Sequence, residues 1–222
     1  MSTMLTTLPT DDRTRMLRRG AIVVLLILYA VGMVSVLVGR TEVLALTPLN
    51  LLISTALALS FHRGSRLRLV LFVAVCYVVG FGVELAGINT GRVFGEYTYG
   101  SVLGYKWYGT PWMIGVNWAM LSYICGVAAG WLLPGKSVWL RSAIGAAIMV
   151  GLDLFMEPVA MTYDFWDWAL GYVPLQNYIA WFGIAYVLQL LYHRYLTPQR
   201  NLVAVVLLAL QFIFFAGLLL GL

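Results

Sequence analysis

Long stretches without a charged residue constrain this chain more than any other feature of its sequence. Six such runs are 21–39, 43–61, 69–83, 107–135, 168–192 and 201–222. A seventh apolar segment, 138–158, carries Arg141, Asp153 and Glu157. A helix of about 20 residues crosses the hydrocarbon core of a membrane. We therefore predict an all-α integral membrane protein with about seven transmembrane helices.

The composition excludes a water-soluble alternative. Hydrophobic residues make up 62% of the 222 residues and charged residues 10%, whereas soluble domains average about 45–50% and about 25%. So little polar surface cannot cover a soluble core, and nucleic-acid-binding modules are excluded with it. We predict a single transmembrane domain over residues 1–222, in which residues 1–20 form a basic cytoplasmic segment.

Positive charges are distributed unevenly between alternate connections of the predicted bundle. Eleven of the fourteen lysines and arginines fall on one side, and the other side holds Arg40, Arg92 and Lys106. Cytoplasmic loops of membrane proteins carry the excess of positive charge. We therefore predict a protein of the cytoplasmic membrane with its N-terminus in the cytoplasm and its C-terminus outside.

Two long connections, 84–110 and 159–177, are expected on the outer side and are rich in glycine and aromatic residues. One interpretation is an interfacial belt, because tryptophan and tyrosine favour the headgroup level. The other is a pair of structured loops over a pocket that opens to lipid, since irregular backbone at membrane depth must be buried in protein or line a cavity. In the second interpretation the pocket walls include Phe94, Tyr97, Tyr99, Trp166 and Trp168.

Three carboxylates lie close to these connections. Asp153 and Glu157 are four residues apart and share one face of a helix, and Glu84 is expected at the end of the third helix. Asp153 is expected about five residues from its helix end, roughly 7–8 Å into the membrane. A carboxylate there is a functional candidate, although it could also serve only to orient helices. We predict that the three form one site on the outer side.

Amide side chains near the predicted helix starts are further candidates. Asn117 and Asn177 could bind water or a carboxyl group, or could link helices by hydrogen bonds. Asn50 and Gln211 are interpreted as structural. The pocket is predicted to be a long apolar groove open to lipid.

Metal and nucleotide chemistry find no support in the sequence. The chain has two histidines and two cysteines, too few for a histidine-rich di-iron site, and no zinc spacing. The glycine spacing matches neither a dinucleotide-binding fingerprint nor a P-loop. We predict an activity without a metal or cofactor.

The two loop segments resemble a known family, the membrane carotenoid 1,2-hydratases, which include γ-carotene hydratases and bisanhydrobacterioruberin hydratases. The resemblance extends over residues 80–182. It rests on Glu84, Gly87, Thr90, Gly91, Phe94, Gly95, Tyr97, Tyr99, Leu103, Gly104, Pro111, Trp118, Asp153, Pro158, Trp166, Trp168, Pro174, Asn177 and Trp181. Three positions depart from the family pattern: Glu157 replaces an aspartate, Gly115 a proline and Ala180 a glycine.

The resemblance implies addition of water to the terminal 1,2-double bond of an acyclic carotenoid end group, giving a tertiary alcohol. For this reaction we predict Asp153 as the proton donor, with Glu84 and Glu157 orienting water or tuning the donor. Burial among apolar groups favours the neutral acid that protonation requires, and aromatic faces stabilise a carbocation. The substrate-binding set is then Phe94, Tyr97, Tyr99, Asn117, Trp118, Trp166, Trp168, Asn177 and Trp181, with the four tryptophans at the closed end of the groove.

The partners implied are a lipophilic carotenoid and membrane lipids, and association with other carotenoid-pathway enzymes would be compatible with this role. Three alternatives stay open at this point. A lycopene-cyclase-like enzyme would use the same protonation, a transporter or channel would use the carboxylates as ion sites, and a carotenoid-binding or assembly protein would have no catalysis.

Overall fold

The computed structural model describes residues 12–221 and is helical. Its helices are α1 (Asp12–Leu37), α2 (Thr47–Ser60), α3 (Arg66–Thr90), α4 (Trp112–Leu132), α5 (Val138–Thr162), α6 (Leu175–Tyr195) and α7 (Leu202–Leu219). A 3₁₀ helix, Thr41–Leu46, leads directly into α2. Of the predicted basic segment 1–20, residues 1–11 lie outside the described residues, and the remainder forms the start of α1.

Within residues 12–221, six helices are long and apolar enough to cross a membrane: α1, α2 with the preceding 3₁₀ helix, α3, α4, α5 and α7. The prediction of an all-α membrane protein is therefore confirmed. α6 has the same length as α4, 21 residues, but is less apolar because it carries Asn177, Gln189, His193 and Arg194. The length and composition of α6 do not decide whether it crosses the membrane, so the seventh span stays a prediction.

α4 forms the centre of the bundle. It packs against α3, α5, α6, α7 and α2, and Trp118 and Tyr123 on it are fully buried. α1 lies at the edge, where it contacts α7 and exposes apolar side chains such as Leu26 and Val31. An apolar surface of this kind is suited to lipid rather than to water. α4 is thus enclosed by the other helices along most of its length, so that Asn117 and Ser122 on it face protein rather than lipid.

Two short strands join the long connections. β1 (Tyr97–Tyr99) pairs antiparallel with β4 (Trp166–Trp168), so that Tyr97 lies opposite Trp168 and Tyr99 opposite Trp166. Alternate side chains of a strand point to opposite faces, and these four point towards the bundle. A hairpin of β2 (Lys106–Trp107) and β3 (Thr110–Pro111) leads into α4.

The helices before both connections are longer than the sequence indicated. α3 continues six residues beyond Glu84, and its end is marked by Gly91, whose φ of 65° is a left-handed conformation that glycine adopts readily. α5 continues nine residues beyond Asp153, which is about 14 Å of helix. The expectations that Glu84 ends its helix and that Asp153 lies five residues from an end are therefore wrong.

Candidate active site

Glu84 is buried beneath the first connection and accepts three hydrogen bonds. Its Oε2 accepts from the hydroxyls of Tyr97 at 2.5 Å and Tyr99 at 2.7 Å. Its Oε1 accepts from Nε1 of Trp118 at 2.9 Å. The side chain is 3% exposed, so these three donors replace the water that a buried carboxylate loses.

The two tyrosines on β1 are held in their donor form. Burial, followed by the neighbouring carboxylate of Glu84, raises the pKa of Tyr97 and of Tyr99 above the ordinary value for a phenol. Both hydroxyls therefore keep their protons over the physiological pH range. Their hydrogen atoms remain committed to Glu84.

Glu157, on α5, also accepts three hydrogen bonds. Its Oε2 accepts from Nε1 of Trp166 and from Nε1 of Trp168, both at 2.8 Å. Its Oε1 accepts from Nδ2 of Asn177 at 3.2 Å. The β4 strand and the first turn of α6 thus supply Glu157 with all of its donors.

Asp153 differs from both glutamates. It is completely buried one helical turn from Glu157, and its Oδ2 accepts from Nδ2 of Asn177 at 2.9 Å. Its Oδ1 is buried without a hydrogen-bond partner in the part of the chain that the structure describes. Buried polar atoms of native proteins are nearly always paired. This oxygen is therefore the position at which a proton, a water or a substrate is expected.

A cavity lies between the three carboxylates. It offers about 20 Å³ to the centres of water molecules, which is enough for one water. Its walls are Glu84, Phe94, Tyr97, Tyr99, Ile114, Asn117, Asp153, Glu157, Trp166, Trp168, Asn177 and Trp181. Asn117 makes no hydrogen bond with any of the described residues, so its amide is available inside the cavity.

The structure therefore brings the residues singled out from the sequence together. Eleven of the twelve candidates line the cavity. The twelfth, Trp118, stacks on Trp181 with ring centroids 4.1 Å apart and binds Glu84 from behind. Their catalytic and binding roles stay predictions.

Two further cavities lie between this one and the outer surface of the bundle. A middle cavity of about 70 Å³ shares Ile114, Asn117 and Trp166 with the carboxylate cavity. An outer cavity of about 200 Å³ shares Thr47, Asn50 and Phe214 with the middle one. The outer cavity is walled by α1, α2 and α7 and includes the exposed apolar side chains of Ile27, Val31 and Leu49. The three cavities thus lie in a row, separated by shared wall residues, between a lipid-facing surface and the carboxylates.

The middle cavity contains polar residues that the sequence reasoning assigned to structure or did not consider. Tyr29, Asn50 and Gln211 line it. Polar side chains such as these are rare in helices as apolar as α1, α2 and α7. Nε2 of Gln211 donates to the Tyr29 hydroxyl at 2.8 Å. The sequence signal that could have indicated this cavity is the presence of isolated polar residues in three otherwise apolar helices. Such residues usually face the bundle interior.

Two helix–strand–helix units surround the cavity, although no internal repeat is recognisable in the sequence. The first is α3, β1 and α4, and the second is α5, β4 and α6. In each unit a carboxylate on the first helix accepts from alternate residues of the strand, and the second helix follows a proline and contributes an asparagine and a tryptophan. In the first unit these residues are Glu84, Tyr97, Tyr99, Pro111, Asn117 and Trp118. In the second unit the corresponding residues are Glu157, Trp166, Trp168, Pro174, Asn177 and Trp181.

We expect Gly80→Ala to damage the site from a distance. A Cβ at Gly80 would overlap the Cβ and Cγ atoms of Trp118, so the indole must move away from Glu84. Overpacking of this kind costs about 1–3 kcal/mol. Thermal unfolding in detergent should show the loss, together with lower activity.

The control is Gly82→Ala, on the same helix two residues later. Its added Cβ meets nothing within 4 Å, so we expect stability and activity close to those of the parent. Equal behaviour of the two variants would show that the contact between α3 and Trp118 does not hold the site together.

Comparison with known proteins identifies the class. The family described as carotenoid biosynthesis protein matches residues 46–221, which include α2 to α7 and every residue of the carboxylate cavity. The chain belongs to this family.

One curated relative is named bisanhydrobacterioruberin hydratase, from Haloarcula japonica. It is 32% identical over 109 residues, a match that covers 46% of this chain and 36% of the relative. The chain thus matches about a third of the length of that protein. The resemblance to the carotenoid hydratases is confirmed at the level of the family, and no solved structure matches the chain.

Proposed function

We propose that this protein is a membrane carotenoid 1,2-hydratase, a cofactor-independent hydro-lyase. It adds water across the terminal double bond of an acyclic carotenoid end group. The observation that carries the proposal is the buried, unpartnered Oδ1 of Asp153, a residue that lines the cavity between the three carboxylates. The name of the Haloarcula relative and the carotenoid biosynthesis family support the same reaction class.

The hydrogen-bond pattern favours Asp153 as the proton donor. Glu84 and Glu157 each accept three hydrogen bonds, and both oxygens of each are engaged, so protonation of either would compete with existing donors. Asp153 accepts from a single donor on Oδ2. A proton on Oδ1 therefore meets no opposing donor, and a neutral Asp153 also avoids repulsion with Glu157, which shares the amide of Asn177.

The reaction can be written with this proton. Oδ1 of Asp153 transfers it to the less substituted carbon of the terminal alkene, leaving a tertiary carbocation next to the indoles of Trp166, Trp168 and Trp181. Each aromatic face stabilises a cation by about 0.5–2 kcal/mol. A water molecule held by the amide of Asn117 attacks the cation, and its surplus proton returns to Asp153.

The chain of cavities supplies a path for a lipophilic substrate. The carotenoid enters from the bilayer between α1 and α2 and passes the middle cavity end-first to reach Asp153. The bundle is proposed to span the cytoplasmic membrane seven times, with α6 as the seventh span, the N-terminus in the cytoplasm and the site on the outer side. Glu84 and Glu157 fix the strands and the aromatic walls, and tune the donor. Association with other pathway enzymes would deliver the substrate.

The origin of the new hydroxyl oxygen tests this proposal. Membranes that contain the protein, supplied with an acyclic carotenoid anaerobically in ¹⁸O-water, should give a tertiary alcohol that carries the heavy oxygen in mass spectrometry. Membranes from the same host without the protein are the control. Incorporation from dioxygen would contradict the mechanism, and a ring-closed product without oxygen would select the cyclase.

A further inference from the structure

A second cleft lies at the arginine-rich end of the bundle, outside the carboxylate cavities. It has a volume of about 590 Å³, which is within the usual range for ligand sites, and lies between α1, the end of α4, the start of α5 and the α6–α7 connection. Arg18, Arg141 and Arg200 line it, and no acidic residue within 12–221 does. Three positive charges thus converge on one cleft from three separate parts of the chain.

These arginines are not neutralised within the described part of the protein. None of the three forms an ion pair there, and Nε of Arg141 is buried without a hydrogen-bond partner. A buried donor of this kind costs free energy unless a ligand satisfies it. Guanidinium groups bind phosphate oxygens through paired, charge-assisted hydrogen bonds. An anion with several oxygens has the chemistry to satisfy these groups.

The position of the cleft identifies the source of that anion. Arg18 precedes the uncharged part of α1 by three residues, and Arg141 is the fourth residue of α5, so both lie where helices meet the membrane surface. Trp131, Pro134 and Leu202 add an apolar wall beside the arginines. The α6–α7 connection is held against α4 here, because Nε1 of Trp131 donates to the carbonyl of Gln199 at 2.7 Å.

We propose that this cleft binds the phosphate of an anionic phospholipid from the leaflet on the arginine-rich side. The arginines bind the phosphate, and the apolar wall contacts the glycerol and the start of the acyl chains. Basic pockets between transmembrane helices bind anionic headgroups in this way. The lipid would tie α1 to α5 and to the α6–α7 connection. This proposal does not depend on the reaction at the carboxylate cavity.

Lipid binding to the purified protein in neutral detergent tests the proposal. Native mass spectrometry with phosphatidylglycerol should show one retained lipid per chain. Phosphatidylcholine of the same acyl composition should bind at least about tenfold more weakly, because its headgroup carries no net charge. Arg141→Gln should weaken phosphatidylglycerol binding by about tenfold, the effect of losing one charge-assisted contact.

The matched control is Arg68→Gln, which removes an exposed arginine at the start of α3, at the same end of the bundle but outside the cleft. It should leave lipid binding unchanged. Arg200→Gln, in an exposed connection, serves as a second variant if Arg141→Gln fails to fold. Equal binding of the two lipids, or unchanged binding in both cleft variants, would overturn the proposal. Displacement of the lipid by inorganic phosphate at equal concentration would overturn the lipid as source.

Discussion

Asp153→Asn should abolish hydration while leaving the protein folded. The asparagine can place its carbonyl oxygen where Oδ2 accepts from Asn177, and its amide group then occupies the unpartnered position of Oδ1. No hydrogen bond is lost, but no proton can be delivered. General acids contribute about 10²–10⁴-fold to a rate, so we expect a loss of that size in pigment conversion. The buried NH₂ group costs about 1–3 kcal/mol, so the unfolding temperature should fall by only a few degrees and the protein should stay folded.

Asp167→Asn is the matched control, because it makes the same chemical change on the exposed face of β4. Its side chain accepts only from the backbone N–H of Trp168, which an amide oxygen can also do, so activity should be retained. Hydration by Asp153→Asn at nearly the parent rate would assign the proton to Glu84 or Glu157 instead.

Glu84→Gln should affect stability as well as activity. Three donors converge on the two oxygens of Glu84, and a glutamine offers one oxygen and an NH₂ group. In either orientation at least one donor among Tyr97, Tyr99 and Trp118 loses its acceptor. An unsatisfied buried donor costs about 1–3 kcal/mol, which corresponds to an unfolding temperature lower by roughly 2–12 °C for a chain of this size.

Two comparisons separate this effect from a general loss of charge. Glu42→Gln, at an exposed position of the 3₁₀ helix, should leave the unfolding temperature unchanged. Trp118→Phe removes one of the donors, so the double variant with Glu84→Gln should lose less than the two single losses combined. Additive losses would mean that the hydrogen bond between Trp118 and Glu84 does not hold the site.

The sequence predicted the chemistry of the site better than its shape. Asp153 and Glu157 are four residues apart, so they share one helix face wherever that helix ends. Each carboxylate could also be singled out because the sequence around it has few charged residues. Both properties are local, so they were readable without the fold. The family and the helical membrane class could be predicted for the same reason.

The pairing of β1 with β4 could not be predicted in the same way. Each strand has three residues, which is too short for a periodic pattern, and the partners are separated by α4 and α5. The depth of Asp153 was underestimated because Pro158 lies within α5 without ending it. The middle cavity was missed because Tyr29, Asn50 and Gln211 come from three distant helices, and only their packing shows that they share one space.

The two helix–strand–helix units have a consequence for how the protein is made in the membrane. The donors of Glu84 all lie within the next 34 residues, and those of Glu157 within the next 20. Each helical hairpin can therefore leave the translocon with its glutamate already compensated, which avoids the insertion cost of a bare charge. Asp153 has one oxygen that neither hairpin satisfies. Its surroundings exist only after both hairpins have assembled, so the growing chain carries no finished reaction centre.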